Sequence, residues 1–389
     1  MKKNKIIVAC DSFKGACTSL DAGNAIKRGV LKRLSSSSLD SVCNLSDNVV
    51  VFSLGDGGEG TASALASSLG YEIKQLSVSD THGIPTSADY YLSRDNSAAV
   101  FDMSACSGIA LAQKHGLDIM NASTAGVGQL IKYLAESGTH DITVCLGGSG
   151  TSDGGVGALA ELGVKFYDYS GQLLKDRLCP KNLDLIKCAD TEPALKLLEG
   201  IKLTLLYDSA IPLSGEHGSV MMYSRQKGAD DITIPILETN IKHLSQVLNG
   251  SHHNLSDAHG AGAAGGLGFG LSVIGGILTS GADRVLDLVG FDSYLSDAAV
   301  IITGEGKTDK QSSTGKLPSA IAGRAARFDI PVICLCGVND ADSTVYDCGI
   351  TSVIQIGDKP MPMADSIADT LPMLDKTAFD LAGLFTYFK

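Results

Sequence analysis

The feature that most constrains the fold is a series of short apolar runs, rich in β-branched residues, separated by stretches with helical periodicity. Several runs are apolar on both faces, which is typical of parallel strands covered by helices. The candidate strands are 5–10, 48–54, 141–146, 202–207, 299–303, 331–335 and 352–356, and helical patterns include 20–34, 61–69, 123–136 and 318–327. This alternation predicts a doubly wound α/β architecture of the Rossmann or flavodoxin type.

A chain of 389 residues is too long for one compact core, so two α/β domains are expected. Both ends of the chain share the strand–loop–helix rhythm, whereas the middle has more polar turns and longer gaps between strands. We therefore predict a discontinuous Rossmann-like domain of residues 1–79 and 282–389, with an α/β domain of residues 80–281 inserted into it.

The net charge disfavours some classes of binding partner, and the cysteine content indicates the cellular compartment. A formal net charge of −12 disfavours binding to nucleic acid or anionic lipid, so a basic residue inside a glycine-rich loop is notable. The ten cysteines include no C-x-x-C pair, and several lie in apolar strands, which favours free thiols and a cytoplasmic location. The uncharged stretch 258–282 is crowded with glycine and is interpreted as a loop leading into a buried helix rather than as a membrane span.

Glycine-rich or polar loops follow several candidate strands directly. Because ligands of open α/β sheets bind beyond the carboxyl ends of the strands, these loops predict the site. They are 11–15, 55–60, 147–150 and 304–306.

The loop 55–61 reads Gly-Asp-Gly-Gly-Glu-Gly-Thr and opens a predicted helix. Gly57 and Gly58 would allow backbone N–H groups to approach an anion closely. Asp56 and Glu59 are candidates for binding Mg²⁺ or a substrate hydroxyl. The alternative is a tight turn in which an acid caps the helix.

The loop 147–157 has an unusual density of small residues around one acid. Gly148, Ser149 and Gly150 are predicted to form a nest of donors around phosphate, with Asp153 as a metal ligand or base. On this interpretation, Asp153→Asn abolishes turnover and leaves the fold intact.

The segment 303–318 combines acid, amide, hydroxyl and lysine after a strand, and it predicts a phosphate site that includes Gly304, Glu305, Gln311 and Lys316. It is not a P-loop, because Ile301 stands where the first glycine should be. The glycines at 260–265 formally fit a dinucleotide fingerprint, but a polar stretch precedes them, so close backbone packing or a hinge is favoured.

Two further lysines are candidates for neutralising an anion. Lys14 follows the first strand within Asp11-Ser12-Phe13-Lys14-Gly15, and Lys227 lies in a short basic stretch that could instead be a solvated turn. Ser12, in the same loop as Lys14, is also a candidate site residue.

Together these motifs resemble the type I glycerate kinase family, the glycerate 2-kinases. The resemblance is carried, in family order, by 11–15, 56–61, 147–151 with 153–155, 260–268, 303–306, Asp309, Gln311, Gly315 and Lys316. The sequence departs from the family pattern at Ile211-Pro212-Leu213, at Arg225-Gln226-Lys227-Gly228-Ala229 and at Thr124-Ala125-Gly126-Val127-Gly128-Gln129.

The resemblance implies ATP- and Mg²⁺-dependent phosphorylation of D-glycerate at the 2-hydroxyl, in the cleft between two α/β domains. It assigns catalysis to Lys14, Asp56 and Asp153, and metal binding to Asp208 and Glu305. The substrate- and nucleotide-binding residues are then Ser12, Gly57, Gly58, Gly148, Ser149, Gly150, Lys227, Gly304, Glu305, Gln311 and Lys316.

Three alternatives stay open on the sequence. One is an NAD-dependent dehydrogenase using residues 260–265, another is a binding protein for a small acid, and the third is a kinase of a different hydroxy acid. A homodimer is left open as the assembly.

Overall fold

The computed structural model describes residues 5–36, 48–249, 255–313, 315–357 and 359–385. The chain divides into two compact units, which we call unit 1 (Met1–Asp56 with Ala282–Lys389) and unit 2 (Gly57–Gly281).

The strands of the described residues are β1 (Lys5–Cys10), β2 (Val49–Ser53), β3 (Glu72–Ser79), β4 (Pro85–Leu92), β5 (Ala98–Asp102), β6 (Asp141–Cys145), β7 (Lys165–Tyr167), β8 (Cys188–Asp190), β9 (Lys202–Tyr207), β10 (Ile277–Ser280), β11 (Ala298–Thr308), β12 (Val332–Asn339) and β13 (Ser352–Gln355). The helices are α1 (Ser19–Ser36), α2 (Thr61–Leu69), α3 (Ser104–Ser107), α4 (Ile109–His115), α5 (Ala125–Glu136), α6 (Val156–Glu161), α7 (Glu192–Leu197), α8 (Ser219–Tyr223), α9 (Thr233–Asn249), α10 (Ala263–Val273), α11 (Gly281–Leu288), α12 (Leu317–Ala326), α13 (Ser343–Asp347), α14 (Met363–Ala368) and α15 (Thr370–Phe385).

The sheet of unit 1 is entirely parallel, with the order β13-β12-β11-β1-β2. Numbered within the unit, this is the 2-1-3-4-5 order of flavodoxin-like folds, and the order reverses between β1 and β11. Both faces are covered: Ile6 and Val8 belong to a core completed by α1 and α15, while Ile7 between them is also fully buried. The topology therefore marks the carboxyl ends of β1 and β11 as a ligand crevice.

Unit 2 contains a mixed sheet in the order β10-β9-β6-β5-β4-β3 and a small β7–β8 ribbon. The strands from β5 to β10 pair in parallel, whereas β3 and β4 form an antiparallel edge. The predicted first boundary, after residue 79, differs from this division. Because β3 pairs with β4 along its whole length, residues 57–79 belong with unit 2.

The α/β class and the parallel strands are confirmed, and each predicted strand has a counterpart. The main difference lies at β11, which continues from Thr303 through the predicted loop 304–306 to Thr308, pairing with β12 throughout. Among the described residues, no helix is both long enough and apolar enough to cross a membrane.

Candidate functional site

A cavity of about 800 Å³ lies at the carboxyl ends of the parallel strands of unit 1. We call it the unit 1 cavity. Most of its charged lining comes from the loops after β1 and β2 and from β11 and the chain after it, namely Asp11, Lys14, Asp56, Glu305, Lys307 and Lys316, with Ser12 and Gly306 beside them. Gln355, Lys359, Ser366 and Thr370 add polar groups from the end of β13 and the chain after it. Its apolar lining comes mainly from the end of β12 and from the chain after β13, namely Val338, Ile356, Met361, Met363, Ile367 and Met373.

Asp11 stands at the point where the strand order of unit 1 reverses. Its backbone N–H donates to the Gly304 carbonyl at 2.8 Å, and its own carboxylate accepts from the Ser12 N–H at 2.7 Å. Burial raises the pKa of Asp11 to about 8, and repulsion from Asp56 and Glu305 adds to the effect. Three carboxyl groups therefore crowd into one part of this cavity.

Glu305 projects from β11, so the predicted loop at 304–306 is not formed. A Cβ on Gly304 would lie 2.7 Å from the Leu335 carbonyl oxygen and 3.2 Å from the Phe13 ring, so this glycine permits close packing. The Glu305 carboxylate accepts a hydrogen bond from Thr308 Oγ1 at 2.9 Å. Burial raises its pKa, against the opposing effects of Ser312, Thr308 and Lys316.

Three lysines surround these acids. Lys14 and Lys316 line the cavity as predicted, and Lys307 joins them from the end of β11. Lys307 forms ion pairs with Asp340 at 2.9 Å and with Asp309 at 3.3 Å. The polar part of the cavity thus contains both signs of charge close together, which suits a ligand carrying phosphates and a cation.

Unit 2 has a smaller cavity, of about 210 Å³, at the ends of the adjacent strands β6 and β9. We call it the unit 2 cavity. Its lining consists of Ile109, Gly147, Gly148, Ser149, Asp208, Ser209, Ile211, Tyr223, Gln226, Lys227 and Gly262 to Gly265. A Cβ on Gly147 would lie 2.3 Å from the Glu59 backbone nitrogen, so the loops 147–150 and 57–60 pack in direct backbone contact.

Lys227 is the buried cation of the unit 2 cavity, with 3% of its surface exposed. It lies in a 3₁₀ turn, Arg225–Lys227, and its ammonium donates to Ser149 Oγ at 2.8 Å and to the Thr151 carbonyl at 2.7 Å. Burial lowers its pKa from 10.5 to about 7, with the charge of Asp153 acting in the opposite direction. Of the two alternatives for Lys227, the solvated turn is therefore wrong, and binding of an anion stays a prediction.

Asp153 does not line either cavity, in contrast to its predicted role as base or metal ligand. It is fully buried and accepts hydrogen bonds from Thr124 N and Oγ1, both at 2.8 Å, from Gly155 N at 3.1 Å and from Gly157 N at 3.2 Å. Burial raises its pKa, but these donors favour the ionised form. Because both carboxylate oxygens accept hydrogen bonds from the protein, Asp153 stabilises the conformation of the loop 147–157.

The glycine-rich segment at 260–266 forms a left-handed turn, with φ values of 55°, 67° and 90° at Ala264, Gly265 and Gly266. A Cβ on Gly265 would lie 2.0 Å from the Thr151 carbonyl oxygen, which explains the glycine. The residues before it form a short 3₁₀ turn, Leu255–Asp257, instead of the strand that a dinucleotide fingerprint requires. Close backbone packing, the favoured prediction, is what the structure shows.

The structure divides the remaining predicted site residues into three groups. Ser12, Lys14, Asp56, Glu305 and Lys316 line the unit 1 cavity, and Gly148, Ser149, Asp208 and Lys227 line the unit 2 cavity. A third group lines neither cavity, namely Gly57, Gly58, Gly150, Gly304 and Gln311. The apolar wall of the unit 1 cavity was not predicted, because nothing in the segment after β13 marks it as a ligand contact.

The acids of the unit 1 cavity fit a hard divalent cation by their chemistry. The described residues contain no group of three or more His, Cys, Asp or Glu side chains arranged to hold a metal ion. Mg²⁺, however, is usually bound by one or two carboxylates together with substrate phosphates. The buried acids Asp11, Asp56 and Glu305 can provide these one or two carboxylates.

The sequence and the fold were compared with known proteins. The model of the glycerate kinase family matches residues 6–386. A glycerate kinase of Bacillus cereus is 32% identical over 384 residues, covering 98% of each chain. A glycerate 2-kinase of Escherichia coli K12 is 31% identical over 356 residues, covering 90% of each. A crystal structure assigned as glycerate kinase 2 from Salmonella typhimurium LT2 matches with a TM-score of 0.81 and 28% identity over 98% of both chains.

These matches run through both units and include every loop that lines the two cavities. The protein therefore belongs to the glycerate kinase family of phosphotransferase enzymes.

Proposed function

We propose that the protein transfers the γ-phosphoryl group of ATP to the 2-hydroxyl of D-glycerate, giving 2-phospho-D-glycerate and ADP. The observation that carries this proposal is the charge pattern of the two cavities. Lysines and buried acids gather in one, and a single buried lysine with one acid lines the other. The reported activities of the relatives, including a glycerate 2-kinase, support the same reaction.

Phosphoryl transfer depends mainly on positioning and on neutralising charge, so few groups are needed. In this proposal Lys14 and Lys316 offset the negative charge of the phosphates, with Ser12 as an additional donor. Asp56 orients the reacting groups. Lys227 and Ser149 contact the substrate, and Asp153 acts as a positioning residue that fixes the loop carrying Ser149.

In the unit 1 cavity, Glu305 is the carboxylate that we propose for Mg²⁺, whereas Asp208, the other predicted metal ligand, lines the unit 2 cavity. When bound, the cation would neutralise charge on the phosphate oxygens during transfer. The buried position of Glu305 and its hydrogen bond from Thr308 Oγ1 hold one carboxylate oxygen at a fixed place. A cytoplasmic location and a homodimer remain predictions of the sequence.

A ³¹P NMR time course with purified protein, ATP, Mg²⁺ and D-glycerate tests the reaction. We expect a phosphoglycerate resonance whose proton coupling identifies phosphorylation at the 2-hydroxyl. L-glycerate and other small hydroxy acids serve as parallel substrates. A product phosphorylated at the 3-hydroxyl would contradict the proposed regiochemistry, and no product with D-glycerate alone would contradict the proposed substrate.

A further inference from the structure

We propose that the two substrates bind in different units: the nucleotide occupies the unit 1 cavity, with its base on the methionine-rich wall, and the hydroxy acid occupies the unit 2 cavity. The inference rests on the proposed function and assigns its two substrates to sites. The two cavities differ in size, in the number of charges and in the distribution of apolar surface.

Size separates the two cavities. Small-molecule and cofactor pockets typically measure about 300–1,000 Å³. The unit 1 cavity, at about 800 Å³, falls within that range, whereas the unit 2 cavity, at about 210 Å³, falls below it. A nucleoside triphosphate fits the first volume, and a three-carbon acid fits the second.

Charge gives the same assignment. The unit 1 cavity is lined by the four lysines Lys14, Lys307, Lys316 and Lys359, together with the acids Asp11, Asp56 and Glu305. The charged residues that line the unit 2 cavity are Lys227 and Asp208. A triphosphate with its metal carries several charges, while a hydroxy acid carries one carboxylate and one hydroxyl. Each ligand therefore matches the charge of the cavity assigned to it.

The unit 1 cavity also has two chemically different ends. The acids and three of the four lysines lie at or after the ends of β11, β1 and β2, whereas Lys359 and most of the apolar residues follow β12 and β13 toward the opposite edge of the sheet. Neighbouring strands are ~4.8 Å apart, so the end of β2 and the end of β13 are separated by roughly 19 Å. This distance suits an extended ligand with a polyanionic end and an apolar end.

The apolar end has the properties of a wall for a flat heteroaromatic ring. Met363 is 65% exposed and Ile367 is 40% exposed, although both border the cavity, and Met373 behind them is 8% exposed. Methionine side chains adapt to irregular ligands because they are unbranched and polarisable. Gln355, at the end of the edge strand β13, adds an amide group that can pair with a base.

Photochemical labelling of the wild-type enzyme tests the site without any substitution. The probe is 8-azido-ATP with Mg²⁺, and the labelled peptides are identified by mass spectrometry with and without excess ATP. We expect ATP-protected labels within residues 355–373. Protected labels within residues 147–151 or 262–265 would overturn the assignment.

Binding measurements on variants test the wall separately from the phosphates. Met363→Gln and Ile367→Asn alter exposed side chains, so folding is expected to be retained. Calorimetry with a non-hydrolysable ATP analogue should show affinity weakened roughly tenfold, while tripolyphosphate, which has no base, should bind as to the wild type. Leu384→Gln, which is 58% exposed on α15 and does not line this cavity, is the matched control.

Two results would contradict the proposal: an unchanged affinity for the ATP analogue in both wall variants, or an equal loss for tripolyphosphate. Because nucleotide binding is measured without glycerate, the outcome is independent of whether glycerate is the acceptor. Failure of the ³¹P NMR experiment would therefore refute the proposed reaction and leave the nucleotide site to be judged on these data.

Discussion

The two cavities differ in how their buried charges are balanced. In unit 2, Lys227 is held by Ser149 and Thr151, and the nearby Asp153 accepts hydrogen bonds from four donors. In unit 1, burial raises the pKa of Asp11, and repulsion from Asp56 and Glu305 adds to the effect. In the first site, hydrogen bonds within the protein satisfy the buried charges. In the second site, the acids repel one another, and a bound cation can reduce that repulsion.

This difference has a functional meaning. A rigid, hydrogen-bonded site suits a small substrate whose position decides which hydroxyl reacts, since preorganisation lowers the cost of binding. A cavity with crowded acids and an exposed apolar wall suits a ligand that brings its own metal and adapts the side chains around it. Substitutions in each cavity should therefore have different consequences.

The largest effect is expected for Lys227→Met, which removes the buried cation of the unit 2 cavity and keeps a similar volume. We expect kcat/KM for glycerate to fall by a factor of about 100 to 1,000, because a charge-assisted contact to the carboxylate is lost. Steady-state kinetics measure this effect, with Lys181→Met as an exposed control in the same unit. A fall of less than threefold would remove Lys227 from the site.

Asp153→Asn should be the most destabilising of these changes. The new NH₂ group must face backbone N–H groups that now donate to a carboxylate, so we expect the free energy of unfolding to fall by about 2–3 kcal/mol. Urea denaturation measures the change, and Asp231→Asn, at a side chain 84% exposed, is the control. Full stability with abolished turnover would instead restore the catalytic role first predicted for Asp153.

The affinity for glycerate should depend on pH through Lys227. Its pKa in the folded protein is about 7, compared with 10.5 for an ordinary lysine. The fraction of Lys227 that is neutral therefore increases as pH rises above 7. The ligand's carboxylate stays ionised in this window, and we expect its Kd to increase about tenfold per pH unit above pH 7.

Calorimetry between pH 6 and pH 9 measures this dependence, with Lys227→Met as the control expected to show a flat profile. Between pH 7 and 10.5, Lys227 binds more protons in the unfolded chain than in the folded one, so the stability difference between the wild type and Lys227→Met should shift in favour of the wild type as pH rises there. A pH-independent Kd in the wild type would show that Lys227 does not contact the carboxylate.

The smallest effect, and one of opposite sign to that of Asp153→Asn, is expected for Asp11→Asn in unit 1. With a pKa of about 8, Asp11 must be largely protonated in the folded protein at pH 7, although it is ionised in the unfolded chain, and this difference lowers stability. Asparagine is neutral in both states and keeps an oxygen to accept from the Ser12 N–H. We expect stability at pH 7 without Mg²⁺ to increase by about 1 kcal/mol, while kcat falls. Urea denaturation tests this, and a loss of stability would show that the acids of unit 1 are as well satisfied as Asp153.

The sequence predicted the parts of the fold that are buried on both faces. β1 and β9 and the helix α2 have the predicted bounds, because continuous apolar runs or clear helical periodicity define them. The antiparallel edge strands β3 and β4 were not predicted, since most of their residues are exposed or half-buried and largely polar. Their stability comes from pairing with each other, which local composition does not reveal.

The predicted site shows a similar limit. Loops after strand ends indicated Lys14, Asp56 and Ser149, which line the cavities, because topology alone places strand ends together. Lys227 was indicated only by its basic stretch, and it lies in a turn after a helix. Composition could not distinguish an acid that faces a ligand from one that holds a loop, and so Asp153 was assigned the wrong surroundings. Glycines in loops 147–157 and 304–306 were interpreted as anion nests, whereas several serve backbone packing.

The position of β11 between β1 and β12 has a consequence for synthesis on the ribosome. β1 and β2 emerge early, but their sheet lacks its central strand until residue 298 has been translated. At ~5–20 residues per second, this delay lasts roughly 12 to 50 s. Unit 2 is continuous in sequence and can fold within that interval, so we expect the nascent chain to carry an incomplete hydrophobic sheet for tens of seconds. Chaperones that protect emerging β-strands are therefore expected to engage its first 56 residues.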